Sequence, residues 1–431
     1  MHPASRRDVF FIYFAIMIQR FLSILTIHIF LSLCMQAQTA KPTYALNTTK
    51  QARTREYQNL VISINSNLAV PLSDSTEGIW QYAFETMELL NYRTPFIDTR
   101  IRTAMDAVEK RSTGFQRSLL EMAYPLYPKD FVPQIISLAK QTNDAKLFAM
   151  CCEYLLINNR QAEYKDLVLK RAKDSLLNPN ADNPFFTVLQ NKLLLRANPK
   201  PPLADLLSKA FLPNEMVIFS FQRSNRSFPG LVMVRNKDGE FIKAEGGKYF
   251  AVPQLARSCS NMPGYITNGN TPQGIFKVFG FDNSKSIVIG PTTNIQMVLP
   301  YEQSMDVSDS VTRSLGDNYR FLLPASWKNY YPAFEAYYAG KAGRTEIISH
   351  GTTVNPGYYK DQTYYPLTPT QGCLCTKEIW STVDGKRIES DQQKLVDAVK
   401  KAGGANGYCI VIEIDDQQKP VSLKEILPFL K

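Results

Sequence analysis

The residues best suited to chemistry in this chain are Cys373 and His350. Cys373 lies in Thr370-Gln371-Gly372-Cys373-Leu374-Cys375, and His350 lies in Ser349-His350-Gly351-Thr352. His350 is the only histidine beyond residue 40, since His2 and His28 fall in the N-terminal segment. A thiol attacks a carbonyl carbon as its thiolate, so it needs a base or a positive field. Gly372 permits a tight turn before the cysteine. The following Thr376-Lys377-Glu378-Ile379-Trp380 reads as a helix start, whose dipole would favour the thiolate. The backbone N–H groups of Gly372 and Cys373 are candidate oxyanion donors, and the Gln371 amide can donate or accept beside them. His350 ends a strand-like run and precedes a glycine, so its ring can project from a strand end. The pair reads as a cysteine nucleophile with a histidine base for acyl transfer. Against this stands the plainer reading of a structural histidine and an unrelated Gly-Cys turn, because spacing alone does not establish contact.

Strands are expected to carry these motifs. Alternating or continuous apolar runs predict strands at 216–221, 231–234, 275–281, 287–289, 295–299, 346–349 and 409–414. Helices are expected at 327–339 and 390–402, the second stopping at Gly403-Gly404. Upstream the period changes. In Leu147, Met150, Cys151, Tyr154 and Leu155 the apolar steps are three and four, which puts them on one helix face. Similar stretches at 79–90, 101–109, 131–139, 167–177 and 185–195 are separated by turns such as Tyr127-Pro128-Lys129 and Asn178-Pro179-Asn180, suggesting a stack of helical hairpins without a repeat period. The adjacent Cys151 and Cys152 belong to that helix packing.

The proline-rich stretch Asn198-Pro199-Lys200-Pro201-Pro202, followed by a short helix at 203–210, reads as a linker. The fold class is therefore α+β with two domains: a signal over 1–37, a polar segment over 38–75 with one strand-like patch (Leu60-Val61-Ile62-Ser63-Ile64), an all-α array over 76–212, and a mainly β domain over 213–431.

Arg20, the apolar run from Phe21 to Leu33 and the small-residue exit at Met35-Gln36-Ala37 have the form of a secretory signal, with Met17 an alternative start. A second apolar block, 9–18, leaves an uncleaved anchor open. Leu33 disfavours lipid attachment at Cys34. Cleavage would remove three arginines and one aspartate, leaving about +8 of the formal +10, a charge suited to anionic polymers of the cell envelope. An exported chain without a basic block interleaved with aromatics is not read as a nucleic-acid binder. Cysteines at 151, 152, 259, 373, 375 and 409 are too sparse for a disulfide framework, and Cys-x-Cys with one distant histidine does not match zinc spacing, so no metal or other cofactor is expected.

His350-Gly351-Thr352, the later Thr370-x-Gly372-Cys373-Leu374 and the upstream Thr271-Pro272-Gln273-Gly274-Ile275-Phe276 together resemble the L,D-transpeptidase (YkuD-type) catalytic domain over roughly 213–431. In that family a His-Gly-Thr precedes Ser/Thr-His-Gly-Cys, and a Thr-Pro-x-Gly-x-Phe strand lies earlier. The resemblance implies attack by Cys373 on a peptidoglycan stem peptide after its diamino acid, expulsion of terminal D-alanine, and resolution of the thioester by the amine of a second stem. His350 would be the base, Gly372 would shape the oxyanion turn, and Thr370 would hold the Ser/Thr position. It also implies a periplasmic or cell-envelope transferase of a bacterium, acting in cell-wall biogenesis and cell shape. No family match covers the helical half, which is read as a wall- or membrane-protein docking module.

Two positions depart from the family. Gln371 replaces the second histidine, and Cys375 stands where an arginine or asparagine follows. An arginine there would suit a carboxylate, and Lys377 or Arg344 are the residues that can substitute. Gly351, Thr352, Thr370, Tyr358 and Tyr359 are the candidate substrate-binding residues. The tyrosines of 354–366 form either a lid over the cleft or a surface loop tucked against the domain, and the insertion 302–344 can also wall the cleft. Cys375 is either buried or joined to Cys373 in a strained disulfide. Hydrolysis by water and non-catalytic wall binding remain alternatives to transfer.

Overall fold

A computed structural model describes residues 42–175, 183–194 and 199–430. The signal expected over 1–37, the turn expected at Asn178-Pro179-Asn180 and Asn198 lie outside them. Tyr44–Lys431 form one compact unit.

The N-terminal half is helical: α1 (Lys50–Ala69), α2 (Glu77–Leu90), α3 (Pro95–Asp106), α4 (Thr113–Leu126), α5 (Val132–Gln141), α6 (Ala145–Ile157), α7 (Gln161–Ser175) and α8 (Pro184–Leu194). The breaks are chemical. Thr49, Thr94, Ser112 and Asp144 each accept a hydrogen bond from the backbone N–H three residues on, which caps the next helix. Trp80, Ala83, Phe84, Met87 and Leu90 of α2 are buried at three- and four-residue steps. Phe84 meets Phe115 of α4 at a ring separation of 5.4 Å. The strand-like patch at Leu60–Ile64 is corrected: it lies inside α1. Ile64 and Leu68 are fully buried and Leu60 packs against the same core, a four-residue stripe that outweighs the β-branched residues between.

The C-terminal half closes eight strands into a barrel in the order β1-β10-β4-β5-β6-β7-β3-β2. These are β1 (Met216–Arg223), β2 (Gly230–Arg235), β3 (Val252–Leu255), β4 (Gly274–Asp282), β5 (Asn294–Val298), β6 (Ser349–His350), β7 (Leu374–Thr376) and, after the two-stranded hairpin β8 (Glu378–Trp380) and β9 (Arg387–Ser390), β10 (Gly407–Asp415). The β1–β10 and β6–β7 pairs are parallel and the remainder antiparallel. Along β1 the side chains alternate between two cores. Met216 and Ile218 join one with Leu395, Val396 and Val399, while Val217, Phe219 and Phe221 join another with Leu206 and Trp327. Burial on both faces is why this strand reads as a continuous apolar run.

Several sequence expectations change here. Residues 287–289 form turns, with Ile287 exposed. The run 346–349 yields only the two-residue β6, and where a helix start was expected over 376–380 the chain ends β7 at Thr376 and begins β8 at Glu378. The helix expected at 327–339 begins as two 3-10 turns, after Pro324 and at Pro332, before the regular helix Glu335–Lys341. The helix Asp391–Lys401 forms as read, capped by Ser390.

The two halves share side chains. Met262, Tyr265 and Ile266 from the loop before β4 belong to the helical core, and the Tyr265 hydroxyl donates to Glu153 of α6 at 2.5 Å. The Tyr359 hydroxyl donates to the Leu89 carbonyl of α2 at 2.6 Å. The segment entering α1 binds the β8–β9 hairpin through Ala45 N–H to Gly385 O at 2.8 Å and Lys50 N–H to Thr382 O at 2.7 Å. From residue 42 on, the segment expected to be a polar lead-in over 38–75 is thus part of the packed helical half. Among the described residues, no helix is long and apolar enough to cross a membrane.

Tyr359 is 1% exposed, so Tyr359→Phe removes one buried hydrogen bond across the seam with no change in packing. A loss of about 1 kcal/mol is expected in urea unfolding. An unchanged midpoint would show that this bond does not join the halves.

Candidate active site

Ser349 of β6 pairs with Leu374 of β7, and His350 pairs with Cys375. Side chains alternate along a strand, so Ser349, Leu374 and Thr376 face one way and His350 and Cys375 the other. On the first face Leu374 enters the barrel core. There Gln392 donates to the Ser349 carbonyl at 2.9 Å and accepts from Thr376 at 3.0 Å, while Gln254 donates to the Ser349 hydroxyl at 3.3 Å. This buried polar network fixes a strand too short to hold itself. On the other side, His350 and Cys373 line one cleft of about 470 Å³.

The turn carrying Cys373 is clamped from several sides. The Thr370 hydroxyl accepts from Gly372 N–H and donates to the Cys373 carbonyl, both at 2.9 Å. The Gly372 carbonyl accepts from the Thr271 hydroxyl at 2.8 Å and from Arg344 Nη2 at 3.4 Å. Gly372 has φ +113°, and a Cβ there would lie 2.5 Å from the Gly269 carbonyl and closer still to the Arg344 guanidinium. Only glycine fits. The oxyanion expectation needs correcting in one part, since Gly372 N–H is occupied by Thr370. Cys373 N–H has no hydrogen-bond partner among the described residues and is the donor left for an oxyanion. Gln371 is exposed on the cleft wall. With β7 following the cysteine, the helix start expected to favour its thiolate does not form. Its nearby positive charge is Arg344, which favours the thiolate, as does a backbone hydrogen bond from Ile348, but burial outweighs both and pushes the thiol up.

His350 is 4% exposed. Its Nδ1 contacts the Gly351 carbonyl at 2.5 Å. A carbonyl only accepts, so Nδ1 carries the proton and Nε2 keeps its lone pair. Burial lowers the imidazole below its ordinary 6.5, partly opposed by that carbonyl. The resting pair is therefore a neutral thiol and a neutral imidazole with a free basic nitrogen. Gly351 itself does not line the cleft. Its Cα lies against Glu378, whose Cδ would be 2.3 Å from an added Cβ. Thr352 does line the cleft, and it braces the turn by accepting from Val354 N–H at 3.1 Å while its carbonyl accepts from Trp380 Nε1 at 2.8 Å.

Other expected residues lie elsewhere. Tyr359 is buried and Tyr358 packs on Tyr57 of α1 at a ring separation of 5.9 Å, so neither lines the cleft. Tyr364 is buried under Arg257. The tyrosine loop is a seam against the helical half, the tucked alternative. The insertion 302–344 lines a separate cavity through Tyr331, Pro332 and Glu335. Lys377 pairs with Glu389 at 3.5 Å, and Arg344 is spent on backbone carbonyls, so neither offers the cleft a carboxylate partner. Cys375 is a free, buried thiol whose pKa burial pushes up to about 12.

No family model, curated protein or solved structure matches this chain.

The cleft also contains residues that sequence reasoning missed. Cys259, a second thiol, enters from the loop before β4, with its N–H bonded to the Thr370 carbonyl at 2.8 Å. Glu85, Glu88 and Glu121 enter from α2 and α4. The only available signal was the three-residue step from Glu85 to Glu88, which resembles any solvated helix face.

Gly372→Ala should slow alkylation of Cys373 by iodoacetamide at least about tenfold, since the turn cannot hold φ +113° with a Cβ against Arg344. A wild-type rate would show that the turn relaxes freely. The pH dependence follows from the two shifts. Protonation of His350 has its midpoint below the ordinary 6.5, and direct ionisation of Cys373 has its midpoint above the ordinary 9.0. Acylation should hence show an acid limb below the ordinary imidazole range and a plateau through neutrality. A midpoint above 6.5 contradicts the neutral-pair assignment.

Proposed function

We propose that this chain is an exported, two-domain peptidoglycan L,D-transpeptidase whose C-terminal half is L,D-transpeptidase-like and acts through a Cys373 thioester. The observation that carries the reading is spatial convergence. Thr271 from the first motif holds the Gly372 carbonyl, Thr370 from the third clamps the same turn, and His350 from the second shares its cleft.

In the reaction, Nε2 of His350 takes the thiol proton as the Cys373 sulfur bonds to the scissile carbonyl carbon. The oxyanion is met by Cys373 N–H. Collapse breaks the amide C–N bond, and the imidazolium returns its proton to the departing amine. The second stem's amine then attacks the thioester, the C–S bond breaks, and a proton returns to sulfur. No cofactor enters either half-reaction. Cys375, although it departs from the family pattern, lies outside the cleft and does not obstruct it.

Intact-mass analysis with a carbapenem tests the reading. The wild type should gain one adduct and Cys373→Ala none, and His350→Ala should acylate about 10²-fold or more slowly, the usual scale of general-base assistance. A folded, reduced wild type that gains no adduct would transfer the assignment to non-catalytic wall binding.

A further inference from the structure

We propose that the tip of the β8–β9 hairpin and the segment entering α1 form one docking face for the surface of an anionic phospholipid bilayer. This role goes beyond the acyl-transfer reading and does not depend on it.

The face is contiguous. Tyr44 bridges to Lys386, Ala45 N–H bonds the Gly385 carbonyl, and Lys50 N–H bonds the Thr382 carbonyl, so residues 44–50 run along the hairpin loop. Asn47 Nδ2 donates to the Ile287 carbonyl at 3.2 Å, which adds the turn at 287–289. Four apolar side chains stand out from this frame. Val383 is 88% exposed, Leu46 71%, Ile287 69% and Tyr44 48%. Single exposed hydrophobics are ordinary, but four on adjoining backbone segments make a patch. The tip is also held in shape, since the Ser381 hydroxyl accepts from the N–H groups of Val383 and Asp384 at 3.3 and 3.4 Å. A fixed tip presents Val383 outward with little ordering left to lose on docking.

Cations flank the patch. Lys50 and Arg55, both exposed, line a shallow groove with Thr382 and Val383, and no aspartate or glutamate lines it. Lys386 is exposed on the other side of the tip. Asp384 is the acid of the hairpin loop, and its carboxylate accepts from Lys386 N–H at 3.1 Å. The balance is therefore positive. Aliphatic side chains projecting beside cations, with a tyrosine among them, match a bilayer interface. The cations meet lipid phosphates, the aliphatic groups enter below the headgroups, and tyrosine sits at headgroup level. A soluble polyanion would satisfy the cations and leave Val383, Leu46 and Ile287 in water, so lipid is the partner this face fits.

The chain ahead of the face points the same way. The apolar runs 9–18 and 21–33 precede it, and Leu33 is eleven residues from Tyr44. That length spans at most roughly 40 Å when extended. Retained, those runs would hold a bilayer within this reach of the patch. Val288 and Ile289, which follow Ile287, line the cleft of Cys373, so docking sets the cleft beside the headgroups.

The test uses residues 38–431, which hold the whole compact unit and none of the apolar runs. Co-sedimentation is measured with vesicles of phosphatidylcholine alone and of phosphatidylcholine mixed with phosphatidylglycerol, at about 0.1 M salt. The mixed vesicles should bind at least about tenfold more tightly than the neutral ones. Val383→Ser with Leu46→Ser, and separately Lys50→Glu with Arg55→Glu, should each weaken that binding at least about tenfold. All four positions are exposed, and a cooperative thermal melt verifies each fold. No binding by the wild type, equal binding to both vesicles, or binding untouched by either pair overturns the proposal. So does a loss confined to one pair: the charge pair alone marks a polyanion site, and the apolar pair alone marks a face without headgroup selectivity.

Discussion

The buried guanidinium of Arg344 is the constraint around which the site is built. It is 2% exposed and donates to the carbonyls of Gly264, Ile266, Gly269, Asn270 and Gly372. No carboxylate forms an ion pair with it among the described residues, so its charge is balanced by backbone dipoles. Burial draws its pKa down to about 10, which leaves it cationic at neutral pH. That arrangement ties the loop before β4 to the turn of Cys373 and occupies the volume a side chain at 372 would need. The insertion after β5 finds its purpose here: its last helix ends with Arg344 N–H bonded to the Ala339 carbonyl, which delivers the guanidinium to the turn.

The cleft is composite. Its reactive wall comes from β6 and the turn before β7, held from within by Gln254 and Gln392. Its opposite wall comes from α2 and α4, whose apolar stripes are committed to the helical core. The faces left over are therefore polar or only partly buried, and they are the faces turned to the cysteine. Tyr265 and Tyr359 fix the distance between the walls.

What was legible in the sequence were features governed by local period. Strand β1 reads as an apolar run because both its faces are buried, and α6 reads from its three- and four-residue steps. The motif residues Cys373, His350, Thr271 and Thr370 were legible by type and order. Features set by tertiary contact were not. Leu60 to Ile64 is rich in β-branched residues and looks like strand until Leu68 extends its stripe to a third turn. Residues 376–380 look like a helix start, yet Thr376 pairs with Gln254 across β3. The occupation of Gly372 N–H by Thr370 depends on a turn geometry that no spacing rule encodes. The glutamates and Cys259 belong to segments whose meeting with the cysteine exists only in three dimensions.

The pairing of β1 with β10 joins Met216 to Gly407, so the first strand of the barrel has its parallel neighbour almost at the end of the chain. The barrel cannot close while the last strand is still being delivered. During synthesis the helices can assemble first from local contacts, whereas the turn and the histidine gain their rigid frame only at closure. The chain thus carries its own timing: the thiol gains its frame only after the last strand of the barrel has been made.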